Sequence, residues 1–440
     1  MASTYLKRTN GTPTNAQKGT FSAWVKRSKI GGAQRILTNF LDGNNLSYLR
    51  MHSDNYIQHY GYLSGSAVSH FKASRLLRDT SAWYHIMLVV DTTQGTASDR
   101  VKIYVNGEQL TSFSQADYPN QNITYPMFIA SGSNYHTVGS AENGTDCWDG
   151  VMSHVHFSDG YALAPTVFGS TDSTTGEWKI NTSPSVTYGT NGFFILKDGN
   201  SVTDQSGNGN NFTVGGGTLT NTEDCPSNVF ATWNPNLAMN STMTLANGNT
   251  TGTTGSNYAA GASNSWFSTL GMSSGKYYAE FKYVSSTTND GSFIGVGYDL
   301  SKQQQGSSTN AYNFCQSIPE GYGYAPQGEV FNNGSTSGYS TYTTGDIIGV
   351  AIDCDNNTLN FYKNGASAGS QINITADKEY FFALSDGTSA NTFTYSANFG
   401  NGYFGTTAVS SAGTNASGIG IFEYDVPTGY TALSTKGLNE

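Results

Sequence analysis

The residues that could carry chemistry are few and widely spaced. Hydrolysing a glycosidic bond takes two carboxyl groups about 5 to 9.5 Å apart, and Glu423 and Asp425, two apart, would share one side of a strand. His154 and His156 have the same spacing, with Asp149 and Asp159 nearby, which is ligand-like for a metal. Zn²⁺ would want at least one more ligand, and the sequence offers none. The simpler reading puts Val151, Ser153, Val155 and Phe157 on a core face and the two histidines on the outer face. Beyond residue 220 there is no histidine, so that half alone cannot build a Ser-His or Cys-His nucleophile.

Binding chemistry is better represented. Stacking on sugar rings needs aromatic faces and a few hydrogen-bonding groups held by a rigid frame. The stretch YIQHYGYLSG offers Tyr56, His59, Tyr60 and Tyr62, and PEGYGYAPQGEVFNNG offers Tyr322 and Tyr324. The polar run Ser301 to Ser317, which contains Tyr312, is a third candidate, because long loops without a folding role tend to be functional. The competing reading makes these tyrosines half-buried strand residues with hydroxyls in water.

The elements that must position these groups are strands. TFSAWVKRS alternates from Thr20, with Phe21, Ala23 and Val25 on one side and Trp24 and Lys26 on the other, as a half-buried strand does. The strings QRILTNF, SYLRMH and YIQHYGY repeat that period. The best helical candidate, Ala162 to Phe168, is limited to about a turn by Pro165. With 52 Gly, 28 Tyr and 23 Phe but only 12% charged residues, the composition fits many short strands joined by tight turns. A chain of 440 residues exceeds what one core supports. WYHIMLVVDTTQGTASDRVKIYVNG (83–107) and GDIIGVAIDCDNNTLNFYKNG (345–365) are the same unit twice: apolar strand, Asp, polar turn, second strand, Asn-Gly. Two similar β-sandwiches are expected, 1–220 and 221–440, divided in the Gly/Asn/Thr-rich stretch 204–236, with Gly215-Gly216-Gly217 as its softest point.

The formal charge is −10 and every arginine lies within the first hundred residues. Without a basic cluster, nucleic acid is a poor partner. No apolar run of 18 residues is present, so no membrane insertion is expected, and MASTYLKRTNGTP lacks the apolar core of a secretory signal. Cys147, Cys225, Cys315 and Cys354 follow no metal spacing.

GTFSAWVKRS, the Trp83 hairpin and DGVMSHVHFSDGYAL make the first half resemble laminin-G-like, concanavalin A-like jelly rolls. GKYYAEFKYV, FIGVGYDL, the Gly345 hairpin and PTGYTALST make the second half resemble a SPRY domain. The order YLKRT, FGSTDSTTGEW, YGTNGFFILKD, DQSGNGNNF and CPSNVFATWNPN is similar to structural proteins of tailed, especially marine, bacteriophages, and spans nearly the whole chain. Cys225 and Trp233 depart from that pattern, where Thr and Leu are usual.

The resemblance implies an all-β fold of two concanavalin A-like antiparallel β-sandwich domains in tandem. Glucanases of this fold carry Glu-x-Asp-x-x-Glu on one strand; here Thr428 takes the third acidic place, so no enzyme is expected. Related jelly rolls often hold Ca²⁺, for which Asp42, Asp54, Asp146 and Asp149 are candidates, although turn formation explains them more simply; no cofactor is expected. The functional expectation is a non-enzymatic virion surface protein that binds a host cell-surface glycan or receptor through sandwich loops, alongside other virion proteins, as a homo-oligomer such as a trimer. The first domain would be the mount and the SPRY end the tip. The alternatives are a purely structural capsid or tail decoration and, less favoured, a polysaccharide depolymerase.

Overall fold

The computed structural model describes residues 3–129, 134–197, 201–237, 244–254, 265–287, 291–300, 314–315, 319–386 and 392–439. The chain divides into two units, Met1–Asn221 and Thr222–Glu440. Among the described residues no helix is long and apolar enough to cross a membrane.

The first unit is a pair of facing antiparallel sheets. One has eight strands, in the order Phe113–Asp117, Ser66–Leu76, Tyr56–Leu63, Asn45–Met51, Gln34–Asp42, Tyr135–Val138, Tyr5–Thr9 and Thr213–Gly216. The other has six, in the order Phe193–Ile195, Gly150–Asp159, Lys18–Arg27, Trp83–Asp91, Val101–Val105 and Glu108–Gln109. Side chains alternate across a strand, so every second residue enters the space between the sheets. Leu6, Leu49, Ile57 and Phe71 enter from one side and Phe21, Val25, Leu88 and Phe157 from the other. Each side chain of this size contributes about 1.5–3 kcal/mol by burial.

The six-stranded sheet is covered on its reverse side as well. Trp24 and Lys26, expected at a half-exposed face, are 4% and 3% exposed. Residues 161–197 lap the side of the sheet on which Trp24 and His85 lie. They include the single turn Pro165–Val167, Phe168 packs on Met87 and Val89, and Trp178 stacks on His85, which stacks on Trp24.

The second unit repeats the plan. Its larger sheet runs Thr244–Ala246, Thr251–Thr253, Phe393–Asn398, Lys276–Ser286, Ile347–Asp353, Thr358–Lys363 and Ala366–Ser367. Ile372–Asn373 is added on Thr358–Lys363, and Thr431–Ala432 lies parallel to Lys276–Ser286. The smaller sheet runs Ser265–Phe267, Phe381–Asp386, Ser292–Gly297, Gly321–Ala325, Glu329–Phe331 and Ser335–Ser337. Here too a later segment laps the outer side of the hairpin sheet, where Phe422 and Val426 pack with Tyr278, Ala351 and Phe230.

The two hairpins match atom for atom in their logic. Asp91 accepts from the Thr93 amide and the Gln94 side chain and pairs with Lys18 at 3.3 Å. Asp353 accepts from the Asp355 and Asn356 amides and pairs with Lys276 at 2.9 Å. Lys18 and Lys276 each begin the neighbouring strand directly opposite that Asp. Asn106-Gly107 and Asn364-Gly365 turn with φ of 50° and 76°, and 50° and 80°, the left-handed pairs a tight hairpin requires. A side chain at Gly107 would run into Trp178, and one at Gly365 into Tyr424, so in both units an aromatic of the lapping segment sits on the turn.

The stretch read as a soft linker is structured. Thr213–Gly216 is an edge strand on Tyr5–Thr9, and Gly215 and Gly216 are needed because the Tyr5 ring lies where their side chains would project. Trp233, assigned to the linker, is fully buried in the second core between Phe281 and Phe399.

Candidate functional site

Four of the candidate ligand-binding residues prove to be interior or undescribed. His59 faces the core with no exposure. Its Nδ1–H donates to the Tyr48 carbonyl at 2.8 Å and its Nε2 accepts from the Tyr125 hydroxyl at 2.5 Å. Burial pushes its pKa down to about 4, so it is a neutral structural residue. Tyr322 and Tyr324 do point the same way, but inward, at 7% and 0% exposure, opposite Val296 and Ile294. The outward positions of that strand are Gly321 and Gly323, on which Phe314 and Cys315 lie flat, leaving no room for a side chain. A glycine face cannot fill a core, so the tyrosines do. Tyr312 and most of the run 301–317 lie outside the described residues.

Tyr56, Tyr60 and Tyr62 point outward. Gly61 faces inward against Tyr125 and Ser69, so its neighbours must turn to solvent. On this outer face of the eight-stranded sheet, Tyr48, Arg50, Tyr56, Tyr60, Tyr62, His70 and Lys72 all remain partly exposed. The rings form a ladder: Tyr60 lies 5.5 Å from Tyr48 across strands and 6.0 Å from Tyr62 along its own, with planes within 28° and 16°. His70 meets Tyr60 edge-on at 5.1 Å and Tyr56 stacks on His52 at 4.4 Å.

Strand register sets a polar row beside this aromatic one. Lys72 stands opposite Gln58, Gln58 opposite Arg50, and Arg50 opposite Arg35. Arg50 Nε donates to Gln58 Oε1 at 2.7 Å, and Gln58 Nε2 donates to His70 Nε2 at 2.7 Å. His70 is therefore neutral with its proton on Nδ1, and burial and the nearby Lys72 hold its pKa below the ordinary range. The Arg35 guanidinium lies 3.7 Å from the centre of the Tyr48 ring. The Asp146 carboxylate is 3.7 Å from the Arg35 side chain and 3.8 Å from that of Arg50, an ion-pair distance for both and a hydrogen bond to neither.

Stacking rings and guanidinium donors on one rigid sheet can hold a sugar chain, while Gln58, 4% exposed, is spent on Arg50 and His70 and sets their positions. The sequence reading found the Tyr60 string and missed Tyr48, Arg50, Gln58 and His70. Their signal was the opposition of alternate positions in SYLRMH and YIQHYGY, which needs the register to be read.

The remaining candidates do not assemble. His154 has φ of 48° at a register shift between Ser153 and His156, so the pair does not alternate as a regular strand would. Val155 and Phe157 do face the core. His156 is buried beneath the lapping segment, 3.9 Å from the Phe194 ring and bonded to Tyr188. Among the described residues no group of three or more His, Cys, Asp or Glu could hold a metal ion. Asp42 caps a turn through Asn44 and Asn45, Asp54 pairs with His52, and Asp146 is taken by the arginines. Asp149, half-buried, has its pKa raised by that burial. Glu423 is held by the Ser410 amide at 2.6 Å and Asp425 by the Thr414 amide at 2.6 Å, so each is engaged by the chain a dozen or so residues before it.

Residues 1–167 match the family model described as the concanavalin A-like lectin/glucanases superfamily, and residues 276–396 match the SPRY domain model. Three solved structures are similar in part. The SPRY domain of human HERC1 is 20% identical, with 38% of this chain and 96% of that chain covered and a TM-score of 0.30. The native heptameric SAP-like pentraxin from Limulus polyphemus is 16% identical over 37% and 71%, with a TM-score of 0.27. The TRIM65 PSpry domain is 12% identical over 38% and 88%, with a TM-score of 0.28. No curated protein matches the chain. The chain carries a concanavalin A-like domain in its first half and a SPRY domain in its second.

Proposed function

We propose that this protein is a surface component of a tailed-phage particle that binds a host cell-surface glycan without chemical conversion, through the outer face of the eight-stranded sheet. The observation that carries the reading is the row of partly exposed tyrosines beside Gln58 and Arg50 on a sheet whose other face is fully packed. Such a sheet presents rings at fixed spacing with little entropy lost on binding. The virion assignment is supported by the order of joined segments that resembles phage structural proteins. The expected tip and mount exchange roles, since the aromatic face belongs to the first domain and the SPRY tyrosines are core. A homo-oligomer would multiply weak single sites into useful avidity.

The test is binding of purified protein to intact host cells before and after periodate oxidation of their glycans. The proposal expects binding that oxidation abolishes. Absence of binding to untreated cells by the assembled oligomer favours the structural decoration instead, and release of reducing sugar from the glycan would make the protein a depolymerase.

A further inference from the structure

The polar row beside the tyrosines is rich in cations, answered by Asp146 and, at Arg35, by Glu142 as well. Arg50 and Arg35 stand directly opposite each other across the ladder, an arrangement that costs stability when both are charged. They share the Asp146 carboxylate, which lies at ion-pair distance from both guanidinium groups and hydrogen-bonds to neither, while the Asp146 carbonyl accepts from the Arg35 amide at 2.8 Å. Arg35 is stacked on Tyr48, with Nε and Nη1 buried and without a hydrogen-bond partner. Arg50 uses only Nε, toward Gln58, which leaves both terminal nitrogens without an acceptor while its side chain is 19% exposed. Lys72 extends the row on the far side of Gln58. All this stands on a chain whose formal charge is −10.

Resting on the glycan reading above, we infer that the face selects an acidic polysaccharide of uronate type, with Arg50 as the carboxylate-binding residue and Arg35 and Lys72 in support. The geometry of the sheet carries the class. Same-face neighbours along a strand are about 6.6 Å apart, and neighbouring strands about 4.8 Å, of the order of one pyranose ring. A polymer lying across the strands on Tyr48 and Tyr60 therefore runs parallel to the row Lys72, Gln58, Arg50, Arg35. A uronate carboxyl leaves the ring edge directly, without the extra reach of a sulfate ester, so it falls on the adjacent row. Its two oxygens match the parallel N–H pair that a guanidinium presents. The carboxylate also adds negative charge beside Arg50, whose only ion-pair partner among the described residues, Asp146, lies 3.8 Å away.

The experiment titrates the full-length protein with polygalacturonate, with the same polymer after carboxyl reduction, and with dextran sulfate, alongside the periodate assay on cells. Polygalacturonate is expected to bind at least about tenfold more tightly than the reduced polymer, the scale of one charge-assisted hydrogen-bonded pair, and also more tightly than dextran sulfate. Arg50→Gln is expected to remove that preference with an unfolding midpoint no lower than that of the wild type, since it also relieves the opposition to Arg35. Arg50→Lys, which keeps the charge but not the fork, should restore only part of it. Equal binding of the two galacturonate polymers would overturn the acid selectivity while leaving the glycan reading in place. Dextran sulfate binding as well as polygalacturonate would overturn the carboxylate assignment. Binding of neither polymer, with periodate-sensitive cell binding intact, overturns this inference alone; loss of both overturns it together with the reading it rests on.

Discussion

Tyr60-Gly61-Tyr62 in the first domain and Tyr322-Gly323-Tyr324 in the second are the same string, each on the sheet that faces the one carrying the Asp-capped hairpin, and they turn in opposite directions. In the first, glycine faces inward against Tyr125 and the tyrosines face solvent. In the second, the tyrosines fill the core opposite Ile294 and Val296, and glycine makes a smooth outer surface for Phe314 and Cys315. The difference lies in the partners. Tyr60 is flanked across strands by Tyr48 and His70, which are themselves half-exposed, whereas Tyr324 is flanked by aliphatic residues. The same local sequence thus yields an open aromatic face in one domain and a packed interior in the other.

The two domains also carry their buried titratable groups with opposite sign, and the largest expected effect follows from that. Burial depresses His59 to about 4 and His85 and His136 to about 3, below the unfolded value near 6.5. The unfolded first domain therefore binds more protons. Its stability is full above pH 6.5 and falls toward pH 4, by about 1.4 kcal/mol per pH unit for each histidine. The second domain has no histidine, and Glu280, fully buried, is pushed up to about 7. It accepts from the Glu423 and Tyr424 amides and pins the lapping segment. Its raised pKa adds stability that is complete below about pH 4.5 and lost as pH rises through 7. Thermal unfolding of the intact chain at pH 7 and pH 4.5 should show the first domain losing stability on acidification, with the second holding or gaining. A parallel fall of both would break the contrast.

Next in size is Tyr324→Ala, which opens a cavity beside Tyr342 and Phe361 and should destabilise the second domain by about 3–5 kcal/mol in a denaturant titration. Tyr60→Ala, its counterpart, should change stability by under about 1 kcal/mol. Comparable losses at the two sites would mean that Tyr60 is also core. Glu280→Gln sharpens the pH contrast: the variant should lose the slope of the second domain between pH 4.5 and 7, a difference on the order of 3 kcal/mol across that window. A slope retained in the variant assigns it to another group.

The fold was largely legible, because strand period, Asp-capped turns and Asn-Gly hairpins are local signals and they occur twice. Asp91 and Asp353 act as their positions suggest. What was not legible depends on contacts far apart in sequence. Trp24 reads as half-exposed because nothing local shows that Trp178 returns to stack on His85 beside it. Trp233 read as linker because its partners, Phe281 and Phe399, lie 48 and 166 positions later. Of the candidate platforms, only the outward set Tyr56, Tyr60 and Tyr62 could be found from alternation. Separating it from Tyr322 and Tyr324 required knowing which residues stand opposite. Arg35 and Arg50 were visible only as part of an arginine-rich first hundred residues, without a hint that one carboxylate serves both.

The central claim is that the open tyrosine face of the first domain holds the ligand. It is tested most directly by measuring the binding of Tyr60→Ala and wild-type protein to the same host cells, with both unfolding midpoints recorded. The account predicts binding weaker by about tenfold, as loss of one aromatic contact implies, with midpoints unchanged. Undiminished binding by the variant would contradict it and move the site off this face.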